Sequence, residues 1–155
     1  MKKKIHKYDF LIIGAGLTGS LAALALYKKK FKVLAIDKES KKLQDQRTLA
    51  VNANSKDFLS YLGIWSKLKS KPQPINKIII KDYLNPDPLI FENNQESMGN
   101  VVFNREVLLE AKKLCHKHKI LIDNHDIDYN HISENNVITI NNRKCEFKKI
   151  VLCVG

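Results

Sequence analysis

The chain has 155 residues, a formal net charge of +11 and 44% hydrophobic residues. That length suits one domain with a real core, and that apolar fraction excludes a disordered chain. The charge invites a nucleic-acid reading, but nearly all of it is lysine, and the only arginines are Arg47, Arg105 and Arg143. Nucleic-acid surfaces lean on arginine interleaved with aromatic residues. A solvated lysine-rich surface is the simpler reading, which leaves attraction to an anionic membrane surface open and specific nucleic-acid binding disfavoured.

Residues 8–37 read YDFLIIGAGLTGSLAALALYKKKFKVLAID. A short apolar run, Phe10–Ile13, leads into Gly14-Ala15-Gly16-Leu17-Thr18-Gly19. A helical pattern follows and ends in Lys28-Lys29-Lys30, where cations complement the negative end of a helix dipole. Leu17, Leu21, Leu24 and Ala25 stand at helical spacing, with Ala22 and Ala23 small enough for close packing. A second apolar run, Phe31–Ile36, ends on Asp37. Strand, tight turn, helix, strand and acid form the βαβ context in which GxGxxG carries meaning.

Each residue type there has a physical task. Gly14 permits the sharp turn out of the strand. Gly16 lacks a Cβ, so backbone approaches a pyrophosphate closely, and Gly19 lets helix pack on strand. The helix then presents free N–H groups and its positive dipole end to the phosphates. Asp37 follows Gly14 by 23 residues, where a carboxylate accepts hydrogen bonds from ribose hydroxyls and repels a 2′-phosphate, which disfavours NADP. A rival reading takes Met1-Lys2-Lys3-Lys4 and the uncharged run 10–27 as a signal peptide or short membrane span. Asp9, the glycine register and the placement of Asp37 argue against it.

Residues 38–48 read as a polar loop. A helix is predicted from about Asn54 to Leu62, capped by Asn54 or Ser55, with Phe58, Leu59 and Leu62 on one side and Gly63 as terminator. Residues 67–74 form a basic connector, Ile78–Ile80 a strand, Asn85–Pro88 a turn, Leu89–Phe91 a short strand and Asn93–Asn100 another polar loop. The block 67–103 interrupts the α/β pattern and is expected to contribute to a second sheet. Asn104 is a candidate N-cap for a helix through about His118, with Val107, Leu108, Ala111, Leu114 and Cys115 as its apolar face. Ile120–Ile122 reads as a short buried strand. Alternating segments at 127–132, 137–141 and 145–147 read as a three-stranded antiparallel meander, and Ile150–Val154 as a separate apolar strand. A chain stopping on such a strand, without the crossover helix a parallel strand expects, reads as shortened.

Together these motifs resemble the N-terminal part of the flavin-dependent aromatic hydroxylases, and within them the ubiquinone-biosynthesis branch. GAGLTGSLAALAL is similar to that family's first FAD motif. Asp45-Gln46-Arg47-Thr48-Leu49-Ala50-Val51, followed by Phe58-Leu59 and Leu62-Gly63-Ile64-Trp65, resembles its D-x-R-x-x-A-L element and the helix ending in L-G-[IV]-W. Asn104-Arg105-Glu106-Val107-Leu108 resembles the R-x-x-L helix start, and the terminal IVLCVG the strand entering an A-D-G motif, with Val154 where an acid is expected.

The resemblance implies an α/β, Rossmann-like FAD-binding fold of the glutathione-reductase type, with an antiparallel β-meander and a partial second sheet. It implies one FAD-binding domain over residues 1–155, incomplete at its C-terminus, with 67–103 contributing to a substrate-domain sheet. Gly14, Ala15, Gly16, Leu17, Thr18 and Gly19 would hold the pyrophosphate and Asp37 the adenosine ribose. Arg47 would reach the FAD, Arg105 would approach its flavin side, and Ile127 would offer backbone to the adenine. Bland readings stand beside these, since Arg47 and Arg105 also serve as solvated surface charges. FAD is the implied cofactor and NAD the less favoured one.

The flavin performs the chemistry in this family, activating oxygen for ring hydroxylation inside an enclosure that excludes water. The residues for that enclosure are missing, so no catalytic residue is assigned. A separately encoded C-terminal half, or a ubiquinone-biosynthesis complex, is the implied partner. The implied location is cytoplasmic, with contact to the inner membrane surface. A Rossmann-like NAD or adenosine-nucleotide module, and a basic interaction protein without cofactor, remain alternatives.

Cys115, Cys145 and Cys153 lack CxxC spacing and read as reduced structural thiols. His116 and His118 stand two apart near a helix end and share no face, and no carboxylate or cysteine completes a set with them, so no metal site is expected.

Overall fold

The structure is a computed structural model that describes residues 5–38, 45–84, 87–93, 96–122, 136–140 and 143–153. Along the chain run β1 (His6–Ile13), α1 (Leu17–Lys28), β2 (Val33–Ile36), β3 (Thr48–Val51), α2 (Ala53–Leu62), a 3-10 turn (Trp65–Lys67), β4 (Gln73–Ile75) and β5 (Lys77–Ile80). They are followed by β6 (Leu89–Glu92), β7 (Gly99–Phe103), α3 (Asn104–Lys117), β8 (Leu121–Ile122), β9 (Val137–Ile140) and β10 (Arg143–Leu152). The chain divides into two compact units, Met1–Leu43 with Leu108–Gly155, and Gln44–Val107. The division falls inside α3.

The first unit holds a five-stranded sheet in the order β8-β2-β1-β10-β9. β1 pairs in parallel with both β2 and β10, and β2 in parallel with β8, while β9 runs antiparallel to β10. Leu11, Ile12 and Ile13 are all buried, as are all four residues of β2. Such continuous apolar runs belong to strands covered on both faces. On one face Leu11, Ile13, Leu34, Ile36, Ile138, Ile140, Cys145 and Phe147 form a single cluster. Asp9, at the edge of the apolar run, accepts from Lys148 Nζ at 2.7 Å and from the Lys32 amide at 2.9 Å, and these contacts hold its carboxyl below the ordinary range.

Two expectations change here. Residues 145–147 and the apolar Ile150–Leu152 are one ten-residue strand, paired in parallel with β1 from Cys145 to Leu152. No turn residue separates them, and Lys148 and Lys149 are exposed without interrupting the ladder. The hairpin of β9 and β10 is the part of the expected meander that is described; segment 127–132 lies outside the described residues. α1 also buries only Ala23 and Leu24 of its expected face, together with Gly19 and Ser20. Leu17, Leu21 and Ala25 are only partly covered. Small residues face the sheet because the helix start lies in backbone contact with the turn before it.

In the second unit, β3, β7 and β4 form an antiparallel sheet in that order, and β5 and β6 pair as a separate two-stranded sheet. β7 occupies part of the expected polar loop: Gly99 and Asn100 read as turn residues, yet both pair with strands. A Cβ on Gly99 would come within 2.8 Å of the Val51 carbonyl oxygen, so the tight approach of β3 and β7 requires glycine there. α2 is capped by Asn52, rather than Asn54 or Ser55, through Oδ1 accepting from the Ser55 amide at 2.8 Å. Gly63 ends it in the left-handed conformation, with φ 80°. Leu59, Leu62 and Ile64 are buried, whereas Phe58 is exposed. All eight residues of β5 and β6 are exposed, including Ile78, Ile79 and Ile80 at 42–51%.

Asn52→Ala removes the α2 cap. It is expected to cost about 1 kcal/mol and to lower Tm by about 2–4 °C, read by thermal denaturation of the purified chain.

Candidate cofactor site

The glycine-rich turn is built from the end of β1. Gly14 adopts φ 90°, a region open to glycine and strained for other residues, and its amide donates to the Ile36 carbonyl at 2.8 Å. This bends the chain back across β2 and starts α1 three residues later. Gly19 lies directly over Gly14: a Cβ at Gly19 would sit 1.9 Å from the Gly14 carbonyl oxygen and 3.2 Å from Cys153 Cβ. The buried Ser20 hydroxyl donates to the Ala15 carbonyl at 2.9 Å, and the Cys115 thiol lies 3.6 Å from the Ser20 carbonyl. Turn, helix start and α3 are thereby tied together.

Gly16 differs from Gly19. A Cβ there would meet nothing within 4 Å, so the space above it is open. Gly16 is the N-cap of α1, no side chain caps the helix, and its first turn holds no acid. The leading N–H groups of α1, at Leu17 and Thr18, therefore face open space with the positive end of the helix dipole behind them. Open volume, uncapped donors and no competing carboxylate match the diphosphate of a dinucleotide.

Asp37 stands at the end of β2. Its amide donates to the Ile122 carbonyl at 3.0 Å, which ties it to β8. Its Oδ1 lies 3.4 Å from the Ala15 amide, on the glycine turn, and its Oδ2 lies 2.5 Å from Lys112 Nζ on α3. Both side chains of this pair are only 17% exposed. The glycine turn, the end of β2 and α3 are thus joined through Asp37.

Arg47 and Arg105 belong to the second unit. Arg47 is 81% exposed and chelates Asp45 through Nε at 2.9 Å and Nη2 at 2.8 Å, while its amide also donates to Asp45 Oδ1 at 3.0 Å. The Asn104 side-chain amide donates to Asp45 as well, and the Asn104 backbone amide donates to the Arg47 carbonyl at 3.0 Å. The Arg47 guanidinium holds the Asp45 carboxyl far below its ordinary range, and Asp45 in turn raises Arg47. Arg105 is exposed, with its guanidinium carbon 5.1 Å from the centre of the Phe103 ring. Ile127 lies outside the described residues. Among the described residues there is no group of three His, Cys, Asp or Glu side chains able to hold a metal ion, and no helix long and apolar enough to cross a membrane.

Sequence reasoning missed Lys112, Asp45 as the partner of Arg47, and the buried hydroxyl of Ser20. One signal for Lys112 was present: with Leu108 and Cys115 it stands at i, i+4 and i+7, a lone lysine inside an apolar stripe.

Gly19→Ala is expected to disrupt the turn, because the clash is with backbone and no side chain can yield; the measurement is loss of native thermal unfolding or a large fall in Tm. Acid will weaken the second unit. Asp45 and Glu106, the latter held by the Ser70 amide and hydroxyl, both have lowered folded-state pKa values. Their contribution is complete above the unfolded carboxylate pKa of about 4 and is lost as pH falls through the lower folded values. Asp45→Asn is expected to flatten the acid limb of a stability-versus-pH curve.

The FAD binding domain family profile matches residues 7–141. Ubiquinone hydroxylase UbiL of Rhodospirillum rubrum is 34% identical over 104 residues, covering 63% of this chain and 24% of that protein. The rebeccamycin biosynthetic enzyme RebC superposes with TM-score 0.70 at 13% identity, covering 98% of this chain and 34% of that one. The p-nitrophenol 4-monooxygenase PnpA of Pseudomonas putida superposes with TM-score 0.66 at 15% identity, covering 97% and 42%. This chain therefore spans about a quarter of the length of the curated relative and between a third and about two fifths of these structures. With a glycine turn open above Gly16, uncapped donors at the start of α1 and Asp37 joined to that turn, the chain belongs to the FAD binding domain family, and FAD is its cofactor.

Proposed function

We propose that this chain is the FAD-binding portion of a flavin-dependent monooxygenase that hydroxylates an aromatic ring in ubiquinone biosynthesis. The later flavin contacts and the substrate enclosure would be supplied from outside residues 1–155, with a separately encoded C-terminal half as one source. The observation that carries the reading is the open cradle: Gly14 and Gly19 in contact, free space over Gly16, and an uncapped α1. The 34% identity to a ubiquinone hydroxylase supports the choice of reaction.

In this reading Gly14, Ala15, Gly16, Leu17, Thr18 and Gly19 hold the pyrophosphate, chiefly through backbone N–H groups. Asp37 takes the adenosine ribose hydroxyls, and Ile127 offers backbone to the adenine. Arg47 and Arg105 contact the FAD, and Arg47 keeps Asp45 as its counterion. Bound FAD supplies the redox chemistry; the chain's own residues bind and orient it. We place the chain in the cytoplasm, with peripheral contact to the inner membrane surface supported by the exposed Lys29, Lys30 and Lys32.

The test is ligand binding by the purified chain. Retained yellow colour after gel filtration and a Tm raised by FAD but not by NAD are the expected results. At a hundredfold excess over Kd the stabilisation is about 2.7 kcal/mol. Colourless protein stabilised by NAD alone would favour a nucleotide-binding module, and protein that responds to neither would favour an interaction protein that keeps the fold without a cofactor.

A further inference from the structure

We propose that Lys112 is a positioning residue for the cofactor's adenosine ribose, acting through Asp37; this rests on the FAD-binding reading of the site. Asp37 has two carboxylate oxygens with separate protein partners. Oδ1 faces the Ala15 amide of the glycine turn at 3.4 Å, and Oδ2 faces Lys112 Nζ at 2.5 Å. The first contact is long and weak. The second is short, charge-assisted and shielded, with both side chains 17% exposed. Lys112 therefore decides where the carboxylate plane points.

Its location explains why a lysine stands there at all. Lys112 shares one stripe of α3 with Leu108 and Cys115, and the neighbouring Ala111 and Cys115 are fully buried. A lysine in such a stripe loses hydration, and Asp37 compensates that loss. The carboxylate in turn gains a fixed orientation while keeping lone pairs for two ribose hydroxyls. Without Lys112, the carboxylate is free to swing to water or to the turn amide. Binding then loses the part of its affinity that depends on the hydroxyls, while the pyrophosphate cradle on α1 is untouched.

This separates the role from a merely structural one. The wild-type chain is expected to bind ADP about tenfold more tightly than 2′,3′-dideoxy-ADP, the scale of a charge-assisted hydrogen bond. Lys112→Met is expected to reduce that preference to about twofold or less, with weaker ADP binding and nearly unchanged dideoxy-ADP binding. Lys112→Arg keeps the preference. Lys112→Gln serves where the methionine variant does not fold and is expected to show an intermediate ratio. Titration calorimetry gives the affinities, and thermal melts without nucleotide report on folding.

A Lys112→Met or Lys112→Gln variant that keeps the full tenfold ratio overturns the role of Lys112 and leaves the cofactor reading standing. Equal weakening of both nucleotides overturns it too, since that marks general damage to the site. Wild-type protein that binds neither ADP nor FAD overturns the cofactor reading, and the role of Lys112 with it.

Discussion

The first unit depends on one close approach, that of Gly19 to the carbonyl of Gly14. The helix can start there only because a hydrogen atom stands where a side chain would collide: a Cβ on Gly19 would lie 1.9 Å from that oxygen. Several other features follow. β1 can turn sharply, because Gly14 tolerates φ 90°. α1 must bury Gly19, Ser20, Ala23 and Leu24, because those residues lie on the side that the contact brings inward. Its N-terminus then faces open space beyond Gly16, with donors that the protein leaves for a ligand. A cradle of this kind costs local stability, since glycines lose much backbone freedom on folding, and the apolar core of β1, β2, β9 and β10 offsets that cost.

Charge is distributed with similar economy. The chain is strongly basic, and three of its described acids have a defined cation. Asp37 has Lys112, Asp45 has Arg47, and Asp9 has Lys148. These pairs are not equivalent. Arg47 is 81% exposed, so its pairing with Asp45 is screened by water and contributes little to stability; its value lies in holding a guanidinium in one geometry. Asp37 and Lys112 are both largely shielded, so the attraction between them is screened less by water than that of the Arg47 pair. The Asp37 pair ties the end of β2 to α3, whereas the Arg47 pair is a surface feature of the second unit.

The second unit presents a different problem. Its β5–β6 hairpin exposes Ile78, Ile79, Ile80, Leu89, Ile90 and Phe91. Two strands alone are marginally stable in water, and an apolar hairpin with open edges invites further pairing. The proposal that residues outside this stretch complete the substrate enclosure is compatible with such a surface. β3, β7 and β4 form a more conventional sheet, and the Asp45, Arg47 and Asn104 cluster joins the start of β3 to the start of α3.

Much of this was readable from the sequence because its rules are local. The run Phe10–Ile13, the spacing of Gly14, Gly16 and Gly19, and the acid ending the second strand specify strand, turn, helix and strand through backbone sterics and hydrophobic period alone. Gly63 ended α2 as expected, for the same reason. Other features needed the tertiary structure. That Gly19 and Ser20 share the buried face of α1 with Ala23 and Leu24 was decided by a backbone contact. β7 forms from a segment rich in turn residues because two strands flank it. β10 is one strand because β1 pairs with it from Cys145 to Leu152. Lys112 became meaningful only when α3 brought it to Asp37 across 75 positions of sequence. Local chemistry sets which elements form; contacts between residues far apart in sequence decide which side chains meet, and the partner of Asp37 is such a contact.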